Sequence, residues 1–192
     1  MTFIRNLIFA TAIALFTGFA SAHYAIDLLG KGDNLTTGQW TRLESIENTA
    51  GNPYRAALKV RTSGVALAPG EGLVFTTDRD LEGERFDAAC IYRIVGKMPR
   101  ATLWSLTVDG IGDATATPFT DRHFLVAPSV VWQADGQMTV TLSPDRRPGN
   151  WIATPSTGPF QVSLRLYDTP LALNTAELDP SALPLVIRDQ CL

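Results

Sequence analysis

The sequence predicts a mainly β protein: an antiparallel β-sandwich of jelly-roll type, with one short helix preceding the strands and a hydrophobic helix at the N-terminus. Three observations support this prediction. The chain begins with an apolar run, short strand-like runs follow one another over its last two-thirds, and turn residues separate those runs. The 192 residues are enough for one domain with a substantial core.

The first two dozen residues have the pattern of an export segment. A single Arg5 precedes the apolar run LIFATAIALFTGFA, and the triplet Ala20-Ser21-Ala22 matches the A-x-A pattern, which predicts cleavage before His23. Apolar residues continue to Ile26, and the run from Leu7 to Ile26 is long enough for a helix that crosses the membrane. The start of this helix would lie in the cytoplasm. Residues 1–26 are therefore predicted to be either a signal peptide or a retained membrane anchor.

Cysteine usage agrees with export. Cys90 and Cys191 are an even pair, which in an oxidising compartment favours a disulfide; the alternative is two separate thiols, with Cys90 buried as a small apolar residue. Two cysteines and two histidines this far apart do not have zinc-site spacing, and neither a metal nor a cofactor is expected. The net charge of −3 comes without a basic block, so nucleic acid is not an expected partner.

The rest of the chain divides into a polar segment and a β-rich domain. Residues 27–52 are polar and punctuated by glycine, which predicts a tether or flap whose one bulky contact is Gly38-Gln39-Trp40. Pro53 opens a predicted helix that ends near Gly64, the start of a domain over residues 53–192. Ala134-Asp135-Gly136-Gln137 is a hairpin signal. The predicted strands are LVFTTD, AACIYRIV, ATLWSLTVD, HFLVA, MTVTLS, FQVSLRLYD and LPLVIRD.

An ordered series of motifs runs through the last two-thirds of the chain: CIYRIVG, LWSLTV, an aspartate- and glycine-rich loop, ADGQMTVTLSP, and GNWIATPSTGPFQVSLRLYD. In this order they resemble the bacterial family called domain of unknown function 1214, with coverage from about Gln39 to the end. The resemblance implies a jelly-roll β-sandwich and no established activity, and it transfers no catalytic residue. Where family members often carry Tyr-Asp after the Leu-Thr of LTV, this chain has Val108-Asp109, so a role for that tyrosine is not expected here.

Few residues indicate a binding surface. A tryptophan offers an aromatic face and a polar edge, and the alternative for each of the four tryptophans is core packing. Trp151 stands beside Asn150 in a proline-rich loop, and these two residues with Arg165 are the predicted ligand-facing patch. The leading hypothesis is a non-catalytic envelope module on the periplasmic side of the bacterial inner membrane that binds a glycan, lipid or protein partner.

Two other functions compete with this one. A periplasmic hydrolase of a carbohydrate or ester would use Asp109, Asp121 and His123, since His123 is the only histidine in the folded part and a general base is most often a histidine. However, the G-x-S-x-G motif is absent, and one histidine cannot supply a cupin-type metal centre. A purely structural role within an envelope complex is the third hypothesis.

Overall fold

A computed structural model describes residues 2–29, 35–43, 53–61, 67–68, 70–111, 122–173 and 179–191. The chain divides into two compact units, Met1–Asn34 with Ser45–Val65 and Leu35–Glu44 with Ala66–Leu192. The described part of the first unit is helical, with α1 at Thr2–Leu29 and α2 at Pro53–Arg61. The described part of the second unit holds the strands.

Helix α1 is built from the apolar run and extends past Ile26 to Leu29. It has 28 residues, none of them buried, and by length and composition it could cross a membrane. At 1.5 Å per residue the helix is about 42 Å long, more than the ~30 Å of a bilayer's hydrocarbon core. A secretory signal sequence near an N-terminus has the same properties.

Two sheets form the second unit, which confirms the predicted mainly β class. The six-stranded sheet has the order β1-β2-β3-β9-β5-β6, and the four-stranded sheet has the order β10-β4-β7-β8. Short 3-10 turns lie at Ala127–Ser129, Pro170–Leu173 and Pro180–Ala182. The strands are β1 Thr36–Thr37, β2 Trp40–Leu43, β3 Gly72–Thr77, β4 Cys90–Gly96, β5 Leu103–Gly110, β6 Phe124–Val126, β7 Met138–Ser143, β8 Trp151–Ala153, β9 Phe160–Tyr167 and β10 Leu185–Cys191.

The two sheets pack over one apolar core, because alternate residues of each strand point to the same face. The ring of Phe160 on β9 lies 5.7 Å from that of Tyr92 on β4, and Phe86 stacks on Phe160 at 5.1 Å. Trp104 belongs to the same buried cluster, so its mid-strand position serves core packing. The seven predicted strands are all present in this sandwich.

The segment predicted as a tether or flap contributes strands β1 and β2 to the six-stranded sheet. The turn between them is fixed to β10 by Gln39, whose amide nitrogen donates to Val186 O and whose amide oxygen accepts from Val186 N, both at 2.8 Å. Trp40 is almost fully buried, and its indole N–H donates to Pro184 O at 2.7 Å. The bulky contact expected at Gly38-Gln39-Trp40 therefore joins the ends of the two sheets.

All neighbouring strands in the described part of the chain are antiparallel except β7 and β8, which are parallel. Parallel neighbours usually need a crossover of a dozen residues or more. Here the paired stretch runs only from Thr141 opposite Trp151 to Ser143 opposite Ala153. From Ser143, the chain must go back by two strand residues, about 7 Å, to place Trp151 opposite Thr141. The loop over residues 144–150 is long enough for this return.

Candidate functional site

A cleft of about 330 Å³ opens beside strand β8. The described residues that line it are Arg122, Arg146, Arg147 and Trp151. All three arginines are exposed, whereas Trp151 is 4% exposed. The cleft therefore combines three exposed arginines with one buried tryptophan.

The loop that carries Arg146 and Arg147 is held at its start by Ser143. The Ser143 hydroxyl donates to Asp145 O at 2.6 Å, which closes a local turn of the type that serine favours. The indole N–H of Trp151 lies within hydrogen-bond distance of both Ser143 O, at 3.1 Å, and Ser143 Oγ, at 3.0 Å. The two ends of the loop are therefore joined directly through a buried side chain.

Asn150 holds the other end of the loop and is itself buried. Its Oδ1 accepts from Val131 N at 2.8 Å, and its Nδ2 donates to Val131 O at 2.8 Å and to Thr139 O at 3.1 Å. Because both amide hydrogens are used in bonds to the backbone, Asn150 acts as a clip between β7 and the segment at Val131. Gly149 precedes it at φ 82°, a conformation that glycine adopts without strain.

Arg122 reaches the cleft from a different part of the chain. Its backbone carbonyl accepts a hydrogen bond from Ala153 N at 2.7 Å, which places Arg122 along the outer edge of β8. Neither Arg122 nor Arg147 forms an ion pair with a residue of the described part of the chain.

Arg165, the third residue of the predicted ligand-facing patch, lies on the other sheet. It is on β9 between Leu164 and Leu166 of the core, so its side chain points to the outer face of the six-stranded sheet. There its guanidinium donates to Thr107 Oγ1 at 2.9 Å. The structure therefore brings Asn150 and Trp151 together at β8 and places Arg165 on a separate surface.

The residues of the hydrolase hypothesis are not assembled into a described site. Asp109 lies on β5, where its Oδ2 is 3.5 Å from Ser163 Oγ. The backbone carbonyl of His123 accepts from Val108 N at 3.0 Å. No hydrogen bond or ion pair joins Asp109 to His123 in the described part of the chain. Asp121 lies outside the described residues.

The opposite edge of the four-stranded sheet carries a second group of charges. Asp80 is 2% exposed; its Oδ2 pairs with Arg188 Nη2 at 2.8 Å, and its Oδ1 accepts from the N–H groups of Glu82 and Glu84. The Arg188 guanidinium also lies 5.9 Å from the ring centre of Tyr92. Burial raises the pKa of the Tyr92 phenol above its usual value, against the lowering effect of its hydrogen bond with the backbone at Asp87 and of nearby Arg188.

The same edge carries the predicted cysteine pair. Cys90 on β4 and Cys191 on β10 stand directly opposite each other and form a disulfide across 101 residues of sequence. This group of contacts ties the last strand to the sheet.

Sequence reasoning identified Trp151 and missed the arginines around it. The doublet Arg146-Arg147 stands four residues before Trp151, between two prolines, and is a signal that could have been used. Arg122 gave no such signal, because its place beside β8 depends on a backbone hydrogen bond to Ala153.

Comparisons with known proteins place the chain in a family. Residues 71–171, more than half of the chain, match the family described as "Protein of unknown function (DUF1214)", and the chain belongs to this family. This confirms the resemblance drawn from the motifs. No curated protein matched the sequence.

A solved structure shares the fold of this chain. The VPA0106 protein from Vibrio parahaemolyticus is similar with a TM-score of 0.58 and 19% identity, covering 93% of this chain and 44% of that chain. An uncharacterized protein from Burkholderia cenocepacia has a TM-score of 0.49 and 18% identity, covering 94% of this chain and 52% of that one. The chain thus spans about half the length of these structures. The structural similarity to the Vibrio protein shows a shared fold. At 19% identity, it gives no information on activity.

Proposed function

We propose that this DUF1214 protein is exported across the bacterial inner membrane and acts on its outer side as a non-catalytic binding module for an envelope component. The observation that carries the binding role is the cleft beside β8, which presents two arginines on a loop held at both ends and a third arginine, Arg122, from another part of the chain. A glycan, a lipid or a protein partner could each be the bound component.

Export is supported by two independent features. Helix α1 has the length and composition of a membrane span or a signal sequence, and it carries a single basic residue near its start, Arg5. The Cys90–Cys191 disulfide is of a kind that persists in oxidising compartments and is rare in the cytoplasm.

The export proposal is tested by producing the protein with and without residues 1–22 and measuring the thiol state of both forms. The full chain should be found in the envelope fraction with no free thiol, whereas the shortened form should stay in the cytoplasm with both cysteines reduced. A full chain whose cysteines react with an alkylating reagent inside intact cells would contradict export. The mass of the mature protein decides whether residues 1–26 are a signal peptide or a membrane anchor. A chain that begins at His23 indicates a cleaved signal peptide, and a full-length chain in the envelope fraction indicates an anchor.

The non-catalytic role is supported by the side chains around the cleft. Its described lining is made of arginines and a tryptophan, residue types that bind and orient a ligand. The competing hydrolase would need Asp109, Asp121 and His123. Activity against a panel of carbohydrates and esters that disappears when these three residues are changed to alanine would favour the hydrolase over a binding module.

Binding is tested by passing purified full-length protein in detergent over immobilised bacterial envelope material. We expect retention on this material and none on the bare resin. Equal passage through both columns would contradict the binding role, and co-purification of one stable complex in place of polymer or lipid would favour a structural role.

A further inference from the structure

We propose that the cleft beside β8 is an oxyanion subsite that binds the phosphate or carboxylate groups of an acidic envelope glycan. This inference rests on the proposed binding function and assigns a ligand chemistry to its site. Its residues are Arg122, Arg146, Arg147 and Trp151.

The charge of the cleft is the first step of the inference. Three arginines line one cavity in a chain whose net charge is −3, so arginine is concentrated at this place. Arginines elsewhere on the four-stranded sheet are paired at close range, Arg188 with Asp80 at 2.8 Å and Arg93 with Asp189 at 2.9 Å. Arg122 and Arg147 have no such carboxylate within the described residues, so an anion from outside would supply it.

The second step is that the backbone positions of these arginines are fixed before any ligand binds. Ser143 and Asn150 hold the two ends of the loop, and the hydrogen bond from Ala153 N to Arg122 O fixes the third arginine. A ligand therefore needs to order only side chains, which lowers the entropy cost of binding. Arginine presents a planar fork of N–H donors that matches carboxylate and phosphate oxygens.

The third step concerns size and polarity. A volume of about 330 Å³ accommodates a sugar residue or a phosphate group but is at the small end for ligand sites. Trp151 is too deeply buried to offer its face for stacking on a neutral sugar ring. The described lining also contains no aliphatic side chain to receive an acyl chain, so an acidic glycan fits better than a lipid.

The inference is tested on the full-length protein in detergent with four probes: inorganic phosphate, polygalacturonate, neutral dextran, and vesicles of phosphatidylglycerol. We expect phosphate and polygalacturonate to bind and dextran not to bind. The double variant Arg146→Gln/Arg147→Gln should weaken both interactions at least about tenfold, since charge-assisted hydrogen bonds are lost. The matched control Arg85→Gln removes an exposed arginine outside the cleft and should bind as the wild type does.

A charge-preserving variant and a chemical readout sharpen the result. Arg147→Lys keeps the charge and loses the fork, and it should bind more weakly than the wild type. Phosphate should also protect Arg146 and Arg147 of the wild type from phenylglyoxal, mapped by mass spectrometry. This second measurement does not depend on the folding of any variant.

Each failure has a distinct meaning. Unchanged binding by the double variant, or no protection of either arginine, would overturn the oxyanion subsite, while retention on envelope material would leave the proposed function standing. Arginine-dependent binding to the vesicles without binding to polygalacturonate would overturn the glycan assignment in favour of a lipid headgroup. Loss of envelope retention by the wild type would contradict the proposed function itself.

Discussion

The two edges of the four-stranded sheet use arginine in opposite ways. At the β10 edge, Arg188 is paired with buried Asp80, and Arg93 is paired with Asp189. At the β8 edge, Arg122 and Arg147 line a cleft and have no ion pair with any residue in the described ranges. The sheet is thus neutralised from within at one edge and presents positive charge to the surroundings at the other.

The difference separates charge that supports the fold from charge that is available to a ligand. An edge strand has unpaired backbone groups that invite other chains, and the β10 edge is fastened by a disulfide as well as by ion pairs. The β8 edge is fastened by Ser143, Asn150 and the Arg122 carbonyl, none of which uses a guanidinium. Changes at the β10 edge should therefore alter stability, and changes to the cleft arginines should alter binding.

The largest effect on stability should come from the disulfide. Changing both Cys90 and Cys191 to alanine removes a cross-link over 101 residues, and we expect the free energy of unfolding to fall by up to about 4–5 kcal/mol in the chain-entropy model. Urea denaturation with and without a reducing agent checks this. The reducing agent should lower the free energy of unfolding of the wild type and leave that of the double variant unchanged. Equal stability of the two proteins without the reducing agent would contradict a stabilising role of the disulfide.

The next largest effect should come from Asp80. Asp80→Asn keeps an oxygen for the N–H groups of Glu82 and Glu84 but removes the buried charge opposite Arg188. Because the Arg188 side chain is 31% exposed, we expect the loss to be that of a hydrogen bond to a charged group, about 1.5–3 kcal/mol. Asp78→Asn is the matched control, because Asp78 is 42% exposed and its contacts to arginine are 3.8 and 3.9 Å long. The control should cost less than about 0.5 kcal/mol. Similar losses in the two variants would show that burial does not distinguish these pairs.

Asn150 tests whether the β8 edge is held as described. Asn150→Ala removes three hydrogen bonds to the backbone, and we expect it to cost about 1–3 kcal/mol of stability because buried groups are left unpaired. It should also weaken phosphate binding, since the arginine loop loses its clip. Thermal unfolding and phosphate titration measure the two effects. Unchanged phosphate affinity would mean that the loop needs no clip to bind.

The smallest effect should be the alkaline dependence of stability through Tyr92. Because the pKa of Tyr92 is raised in the folded protein, its contribution is fully present below the usual phenol pKa of about 10 and is lost as the pH rises through the raised value. Tyr92→Phe should therefore lose less stability between neutral and alkaline pH than the wild type does. The free energy of unfolding of both proteins is measured by urea denaturation at neutral and at alkaline pH. The difference between the two proteins at neutral pH gives the cost of losing the hydrogen bond that Asp87 N donates to the Tyr92 hydroxyl, and it is subtracted from the difference at alkaline pH. An equal alkaline loss in both proteins would contradict the assignment.

The fold was predictable where the strands alternate. The pattern of β9, with Phe160, Val162, Leu164 and Leu166 buried, is visible in the letters alone. Strand β8 was not predictable, because its three residues, Trp151–Ala153, are too few to show an alternating pattern. Its parallel pairing with β7 after a short loop is also unusual. Strands β1 and β2 were hidden for a similar reason, being two and four residues long.

The turn over residues 134–137 shows how local and long-range signals differ. The turn forms, with Gln133 N donating to Gln137 O and Gly136 at φ 76°. The strands on either side do not make a hairpin, because β6 pairs with β5 and β7 pairs with β4. Turn residues fix the local backbone, whereas the choice of sheet depends on core packing that no short motif encodes.

The candidate site was predictable in part. Asn150 and Trp151 do lie together, although Asn150 serves the backbone and Trp151 is mostly buried. Arg165 looked equivalent in sequence but faces outward from the other sheet, since strand alternation and sheet assignment decide its surface. The cleft itself depends on Arg122 meeting a loop more than twenty residues later, which only the folded chain shows.

The most direct test of the contrast between the two edges is a proton–nitrogen correlation spectrum of the arginine Nε–H groups during titration with inorganic phosphate. We predict that the signals of Arg122 and Arg147 shift and saturate while those of Arg188 and Arg93 stay in place. Uniform small shifts of all arginines, or a shift of Arg188 without one at Arg147, would contradict the account.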